Sequence, residues 1–134
     1  MSRIQHITPP GMFQLDGFSH VVVSSGRTAH IAGQGPFDEK MKLIGKDDLY
    51  AQTVQAYRNM CRCLAAVGAG PEDVVSSTIY VVDLDDAKAA EFVRAMGEAL
   101  DGKPFPANAS TLVGVTRLGM PGMLVEISAI AAVD

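Results

Sequence analysis

Two segments of the chain carry apolar residues at helical spacing. In residues 49–67 the apolar side chains recur at steps of three and four residues, at Tyr50, Val54, Tyr57, Cys61 and Leu64. Side chains at this spacing share one face of a helix, so the segment predicts an amphipathic helix of about five turns. An aspartate at position 47 or 48 is suited to capping its amino end, and Gly68 to ending it.

The second helical segment begins after a β-rich run and an acidic pair. Asp85 or Asp86 can cap it, and Gly102 can end it. Its predicted buried stripe consists of Ala89, Phe92, Val93, Met96 and Leu100. Both helices therefore have one apolar and one polar face, which is typical of helices that cover one side of a sheet.

Runs of β-branched and small residues predict strands at 18–25, 28–34, 72–84, 110–117 and 123–132. Gly26 and Arg27 separate the first two strands, which we expect to pair as a hairpin. The last two are joined through the GMPG turn at 119–122. Residues 35–48 are rich in Gly, Pro and Asp and predict a surface loop that holds a brief strand at most.

The order strand, strand, helix, strand, helix, strand, strand predicts a single α+β domain over residues 1–134. We expect one mixed sheet with two helices on one face. Apolar strand residues suggest that the other sheet face is also apolar, namely Val21, Val23, Ile79, Val81, Val113, Val115, Val125 and Ile127. A two-layer domain of this size cannot cover both faces alone, so we expect it to form oligomers.

Charge and composition exclude several classes of function. The chain has 134 residues, 48% of them hydrophobic, and a formal net charge of −4 from 11 basic and 15 acidic residues. Because there is no run of lysine or arginine, we expect no nucleic-acid partner. No apolar stretch approaches the ~20 residues that span a bilayer, and the N-terminal residues lack the apolar centre of a secretory signal. These features favour a cytoplasmic protein without a membrane partner.

The cysteines and histidines do not form a recognisable site. Cys61 and Cys63 lie two residues apart in a predicted helix, where their side chains point in different directions and cannot share a disulfide or a metal ion. His6, His20 and His30 have no Cys or acidic residue at ligand spacing. We therefore expect no metal ion.

Six landmarks in order resemble one protein family. They are AGQGPFD (32–38), the helical segment 55–75, IYVVDLDD (79–86), FPA (105–107), VGVTRL (113–118) and VEISAIA (125–131). Together they resemble the reactive intermediate deaminase family, also called RidA, YjgF or endoribonuclease L-PSP. The resemblance implies a chorismate-mutase-like α+β fold, a homotrimer, and clefts between subunits where small imines or enamines are hydrolysed without a cofactor.

The resemblance also implies roles for individual residues. Glu126 matches the glutamate that positions or activates water in the family's cleft. Gly33 and Gln34 match the last two residues of a Ser-Gly-Gln turn, whose serine is replaced by alanine here. Phe18 stands where active members have a tyrosine, and an asparagine of the family's second helix falls near Glu91, whose role stays open.

The arginine that binds the substrate carboxylate in active members is absent. Aligned forward from FPA its position is Asn108, and aligned backward from VGVTRL it is Ser110, because this chain has two extra residues. Positions two apart share a face of an extended segment, so both alignments put a neutral group there. Arg117 lies an odd number of residues from both and is expected to point to the opposite face.

Replacing a guanidinium with a neutral partner weakens binding of a carboxylate. Each charge-assisted hydrogen bond contributes roughly 1.5–3 kcal/mol, whereas a neutral bond contributes about 1 kcal/mol. A net loss of ~2–4 kcal/mol corresponds to on the order of 30- to 1,000-fold in affinity. The substrate is therefore expected to be neutral, or anchored by another subunit.

Two interpretations of the function remain. The first is a trimeric hydrolase of a small imine or enamine with Glu126 as the catalytic carboxylate. Its cleft would be lined by Phe18, Gly33, Gln34, Asn108, Ser110 and Thr111. The second is a trimer that binds a small metabolite or a partner without turnover. In an apolar run, the alternative role of Glu126 is a structural hydrogen bond or an ion pair at a subunit contact.

Overall fold

The computed structural model describes residues 3–134. It contains six strands, two α-helices and one short 3₁₀ turn at Pro71–Asp73. The strands are β1 (Ile4–Ile7), β2 (Val21–Ser24), β3 (Arg27–Gln34), β4 (Val74–Val82), β5 (Ala109–Val115) and β6 (Val125–Val133). The helices are α1 (Leu49–Ala66) and α2 (Asp86–Ala99).

The main sheet has four strands in the order β3-β6-β4-β5. β4 and β5 are parallel, whereas β6 runs antiparallel to both of its neighbours. The two helices pack against one face of this sheet. The predicted α+β class, with a mixed sheet and two helices on one side, is confirmed.

Both helices begin and end where the sequence pattern predicts. Asp48 caps α1 by accepting a hydrogen bond from the Ala51 amide at 3.0 Å, and Asp85 caps α2 by accepting one from the Lys88 amide at 2.8 Å. Beyond the helices, Gly68 and Gly102 have φ angles of 72° and 81°. Glycine adopts this left-handed conformation at little cost, so the chain reverses there.

The predicted hairpin of the first two strands is wrong. β2 pairs with β1, an N-terminal strand that the sequence pattern did not predict, and β3 pairs with β6. Gly26, at φ 92°, turns the chain out of one sheet and into another. A turn signal fixes where the chain reverses, but the choice of partner depends on which strands bury their apolar faces together.

The expectation of an apolar second sheet face is also wrong in large part. Residues alternate between faces along a strand, and Ile79, Val81, Val125 and Ile127 all lie on the helix-covered side, each 7% exposed or less. The helix-free side, here called the open face, carries Ser76, Thr78 and Tyr80 of β4 and Glu126, Ser128 and Ile130 of β6. β5 adds Thr111, Val113 and Val115 to the open face, so this face carries hydroxyl groups beside apolar side chains.

One residue of the predicted α2 stripe is not buried. Val93 is 57% exposed, and Ala95, which the pattern did not select, is fully buried instead. Phe92 is the main contact of this helix with the core, where its ring lies 5.8 Å from that of Tyr57. The buried face of α2 is therefore narrow. Val93, although apolar, points away from the core.

Candidate functional site

Glu126 lies on the open face, beside Tyr80 of the neighbouring strand. Its side chain is partly buried. Within residues 3–134 the carboxylate makes no hydrogen bond and no ion pair. The described residues of one subunit therefore supply no structural bond to this carboxylate. The carboxylate is free to interact with a ligand or a water molecule.

Gly33 makes room for this carboxylate. A Cβ atom at position 33 would lie 2.6 Å from Cδ and 2.7 Å from Oε2 of Glu126. Such distances are far inside van der Waals contact, so any other residue would displace the carboxylate. Gly33 lies where the register between β3 and β6 shifts, between Ile31 and Gln34. Glycine at this position therefore allows the Glu126 carboxylate to keep its place against β3.

A row of hydroxyl groups crosses the open face next to Glu126. Thr78 of β4 pairs with Ser128 of β6 on one side and with Thr111 of β5 on the other. Thr111 is thus the one predicted residue of the FPA segment that shares a face with Glu126. Thr111 lies two strand spacings across the sheet and two residues along the strand from Glu126, so the two side chains begin about 12 Å apart.

Gln34 ends β3 at the edge of the sheet. Its side-chain amide donates to the Ala32 carbonyl at 3.1 Å. With Gly33 it borders a cavity of about 400 Å³ that Arg62 and Cys63 of α1 also line. Gln34 therefore lies near Gly33, but its amide is engaged with its own strand.

Asn108 is a buried structural residue. It is 3% exposed, its Oδ1 accepts a hydrogen bond from the Ser77 hydroxyl at 2.8 Å, and its Nδ2 donates to the Pro106 carbonyl at 3.1 Å. Its main-chain carbonyl accepts from the Ser19 amide at 2.9 Å. These bonds fasten the start of β5 to β4 and to the segment around Phe18.

Phe18, Asn108 and Ser110 share a cavity of about 420 Å³ between α2 and the edge strand β5. We call it the α2–β5 cavity. Its apolar lining includes Leu15, Phe18, Phe92, Val93, Phe105 and Leu112. Ser110 pairs with Ser77 and has no hydrogen-bond partner within residues 3–134. This cavity lies on the helix-covered side of the sheet, away from Glu126.

The predicted site residues thus form two groups on opposite faces. Gly33, Glu126 and Thr111 belong to the open face and its edge, whereas Phe18, Asn108 and Ser110 border the α2–β5 cavity. One subunit does not bring the two groups together. Glu91 lies on α2 outside the residues that line the cavity.

Gln52 is a site-supporting residue that the sequence pattern did not reveal. Its fully buried amide donates to the carbonyls of Gly45 at 3.0 Å and Gly122 at 2.9 Å, and accepts from the Leu124 amide at 2.8 Å. Leu124 immediately precedes β6, so these bonds position the strand that carries Glu126. A glutamine in an amphipathic helix gives no sequence signal for this role, and α1 carries a second one at Gln55.

Among residues 3–134, no three His, Cys, Asp or Glu side chains are grouped as metal ligands. In the same range, neither helix combines the length and apolar character needed to cross a membrane.

Comparison with known proteins adds independent evidence. Residues 12–133 match the family model described as Endoribonuclease L-PSP. A RutC family protein of Pyrococcus horikoshii is 38% identical over 111 residues, covering 81% of this chain and 82% of that protein. The solved structure of the Rid family protein YyfB from Yersinia pestis has a TM-score of 0.84 at 37% identity, covering 98% of this chain and 100% of that one.

Rv2704 of Mycobacterium tuberculosis, a member of the YjgF/YER057c/UK114 family, has a TM-score of 0.61 at 35% identity over 87% of each chain. The fold and the matches define a two-layer α+β protein with a helix-free sheet face. The chain belongs to the RidA/YjgF family, the family of the Endoribonuclease L-PSP model. The resemblance carried by the six sequence landmarks is confirmed.

Proposed function

We propose that this protein hydrolyses a small imine or enamine, with Glu126 as the group that moves protons. Water adds to the imine carbon and gives one proton to the Glu126 carboxylate, which returns it to the nitrogen. In the resulting carbinolamine, Glu126 carries the hydroxyl proton to the amino nitrogen, the carbon–nitrogen bond breaks, and ammonia leaves with a carbonyl compound as the other product. The observation that carries the proposal is the free carboxylate of Glu126 on the open face.

The reaction site in this proposal is a cleft between subunits of a homotrimer. Glu126 and the α2–β5 cavity lie on opposite sides of one sheet, so a single subunit cannot present both to one small molecule. A neighbouring subunit can bring its cavity to the open face of the next. The helix-free face and the exposed side chains of Val21 and Val23 on β2 supply surface for such contacts.

The substrate in this proposal is uncharged where active members of the family hold a carboxylate. Asn108 is neutral, and its amide is already bonded to Ser77 and Pro106. Ser110 adds only a hydroxyl. With no cation at either position, an anionic group would lose hydration without gaining a charged partner.

A binding protein without turnover is the second candidate. The structural bonds of Asn108 favour it, because they leave no free polar side-chain group at that one of the two candidate positions for the arginine, and Ser110 offers only a hydroxyl. The two candidates differ in what they require of Glu126. Hydrolysis requires a group that accepts a proton, whereas binding alone requires only a group of suitable shape and polarity.

Glu126→Gln tests the proposal because the amide keeps the shape of the side chain but cannot accept a proton. Imines are generated in situ by oxidation of primary amines and of amino acids, and ammonia release above the uncatalysed rate is measured. The matched control is Ser128→Ala, two residues along the same face. We expect the control to keep its activity and Glu126→Gln to lose roughly 100-fold or more.

Unchanged turnover in Glu126→Gln would contradict the proposed mechanism. If the wild-type protein releases no ammonia from any imine tested but binds the carbonyl products, the second candidate replaces the first.

A further inference from the structure

We propose that the α2–β5 cavity binds an uncharged aromatic or branched aliphatic group of a small molecule. That this molecule is the substrate that Glu126 acts on rests on the proposed function. The cavity is the part of the molecule where two positions implicated by the resemblance, Phe18 and Ser110, meet a large enclosed apolar surface. Its shape, polarity and charge all favour the same class of occupant.

The cavity has room for a ring with a side group. Its volume is about 420 Å³, whereas an apolar cavity of about 150 Å³ is sufficient to hold benzene. Its inner wall is aromatic, with the ring of Tyr57 lying 5.8 Å from that of Phe92 and 5.4 Å from that of Phe105. An apolar group bound against these rings is removed from water, which favours binding.

Few polar groups in the cavity are free to contact a ligand. The Ser77 hydroxyl and the Asn108 amide bond to one another, and Asn108 also bonds to Pro106. Burial raises the pKa of Tyr57, so its phenol stays neutral. The Ser110 hydroxyl, unbonded within residues 3–134, is suited to a single hydrogen bond with an uncharged ligand.

The charge at the cavity also disfavours an anion. The one ionised residue in its lining is Asp16, an exposed carboxylate on the loop before Phe18. A ligand carboxylate would meet this negative charge and no positive one. Leu15, Val93 and Leu112, all more than 40% exposed, form an apolar entrance.

The experiment measures equilibrium binding of three carbonyl compounds to the full-length protein by calorimetry. Phenylacetone has a ring and no charge, phenylpyruvate has the same ring with a carboxylate, and pyruvate has the carboxylate alone. We expect phenylacetone to bind at least tenfold more tightly than either anion, which corresponds to about 1.4 kcal/mol. Chemical-shift mapping should place the ring near Ser110 and Val93 rather than near Ser128.

A pair of matched variants locates the binding site. Val93→Trp fills the entrance from an exposed position of α2, whereas Val67→Trp adds the same side chain at the exposed end of α1 away from the cavity. We expect Val93→Trp to weaken phenylacetone binding about tenfold or more and Val67→Trp to leave it unchanged.

Three results would each overturn the inference. They are tighter binding of pyruvate than of phenylacetone, no binding of phenylacetone, and equal binding of phenylacetone by Val93→Trp and the wild type. Binding is measured without turnover, so its outcome is independent of the Glu126→Gln test. If Val93→Trp abolishes phenylacetone binding, the assignment of the cavity is supported. If Glu126→Gln keeps its turnover in the same series, the proposed hydrolysis is refuted. If Glu126→Gln loses turnover and Val93→Trp binds phenylacetone like the wild type, the proposed hydrolysis is supported and the assignment of the cavity is refuted.

Discussion

Asn108 and Ser110 differ in their environments although the sequence makes them equivalent candidates for the missing arginine. The Asn108 side chain is buried and bonded to Ser77 and Pro106. The Ser110 side chain borders the α2–β5 cavity and has no partner within residues 3–134. A longer side chain therefore has space to extend from position 110, but not from position 108.

We predict that Asn108→Arg destabilises the protein, whereas Ser110→Arg does not. The first variant loses two hydrogen bonds and buries an unpaired cation, which should lower the free energy of unfolding by about 3 kcal/mol or more. Thermal melting should show this as a decrease of roughly 10 °C in Tm. Equal melting temperatures for the two variants would contradict the structural role of Asn108.

Ser110→Arg should also create or increase activity on 2-iminopropionate. A guanidinium at the cavity supplies the missing partner for the substrate carboxylate, so the main effect should be a lower KM. The gain is bounded by ~2–4 kcal/mol, the difference between a charged and a neutral partner. Ammonia release is the measurement, with the double variant that also carries Glu126→Gln as the control that should stay inactive.

We predict that Gly33→Ala keeps its stability but loses activity. The added methyl group would occupy the place of the Glu126 carboxylate, which is the end of a flexible side chain and can move away. A displacement of about 1 Å at a reacting group can reduce the rate roughly 100-fold. Gly97→Ala on α2 is the control, because its Cβ would meet nothing within 4 Å. Full activity in Gly33→Ala would show that the reaction does not depend on the position of the Glu126 carboxylate.

At the scale of elements, the sequence predicts both helices and most strands because their signals are local. The stripe of α1 and the caps at Asp48 and Asp85 lie within a few residues of the elements they define. Strand partners are decided by distant residues. The pairing of β1 with β2, which replaces the predicted hairpin, depends on an N-terminal segment too short to carry a pattern.

Gln52 shows how one helix supports an element far along the chain. We predict that Gln52→Leu lowers the free energy of unfolding by about 3 kcal/mol or more, because two carbonyls and one amide lose their partner. Urea denaturation measures the change. The control is Gln55→Leu on the same helix, which loses a single bond to Asn59 and should cost less than about 1 kcal/mol. Similar costs for the two variants would refute this role.

At the scale of the whole molecule, the open face is the surface through which copies associate in the proposed trimer. The sequence predicts an apolar face, whereas the open face carries Glu126 and a row of hydroxyls beside the apolar Val113, Val115 and Ile130. Hydroxyl groups both donate and accept hydrogen bonds, so such a face can pair with another protein surface without matching charges. The proposed trimer would use these hydroxyls together with the apolar residues of the same face.

We predict a particle of three times 14.2 kDa that Thr78→Lys dissociates. Thr78 lies between Ser128 and Thr111 in the centre of the open face, where a buried cation in an interface would lack a partner. Ala66→Lys, at the exposed end of α1, is the control and should remain trimeric. Light scattering measures the mass, and trimers in both variants would exclude the open face from the interface.

The sequence predicts which residues are candidates for the site, but not on which face of the sheet each of them lies. The order of landmarks identifies Glu126, Gly33, Phe18 and the arginine position. Their separation onto two faces depends on the register of β4 with β5 and β6, which short-range patterns do not contain. The bridge between Phe18 and Asn108 links segments about ninety residues apart, and it gives no local signal either.

The separation of Glu126 from the α2–β5 cavity has a consequence for mixtures of defective chains. In the proposed cleft the two come from different subunits, so Glu126→Gln and Val93→Trp damage opposite halves of each cleft. Random co-assembly of equal amounts pairs an intact cavity with an intact carboxylate in about one quarter of clefts. Two inactive proteins expressed together should therefore complement each other to about a quarter of wild-type activity, whereas a cleft contained within one chain would show no rescue.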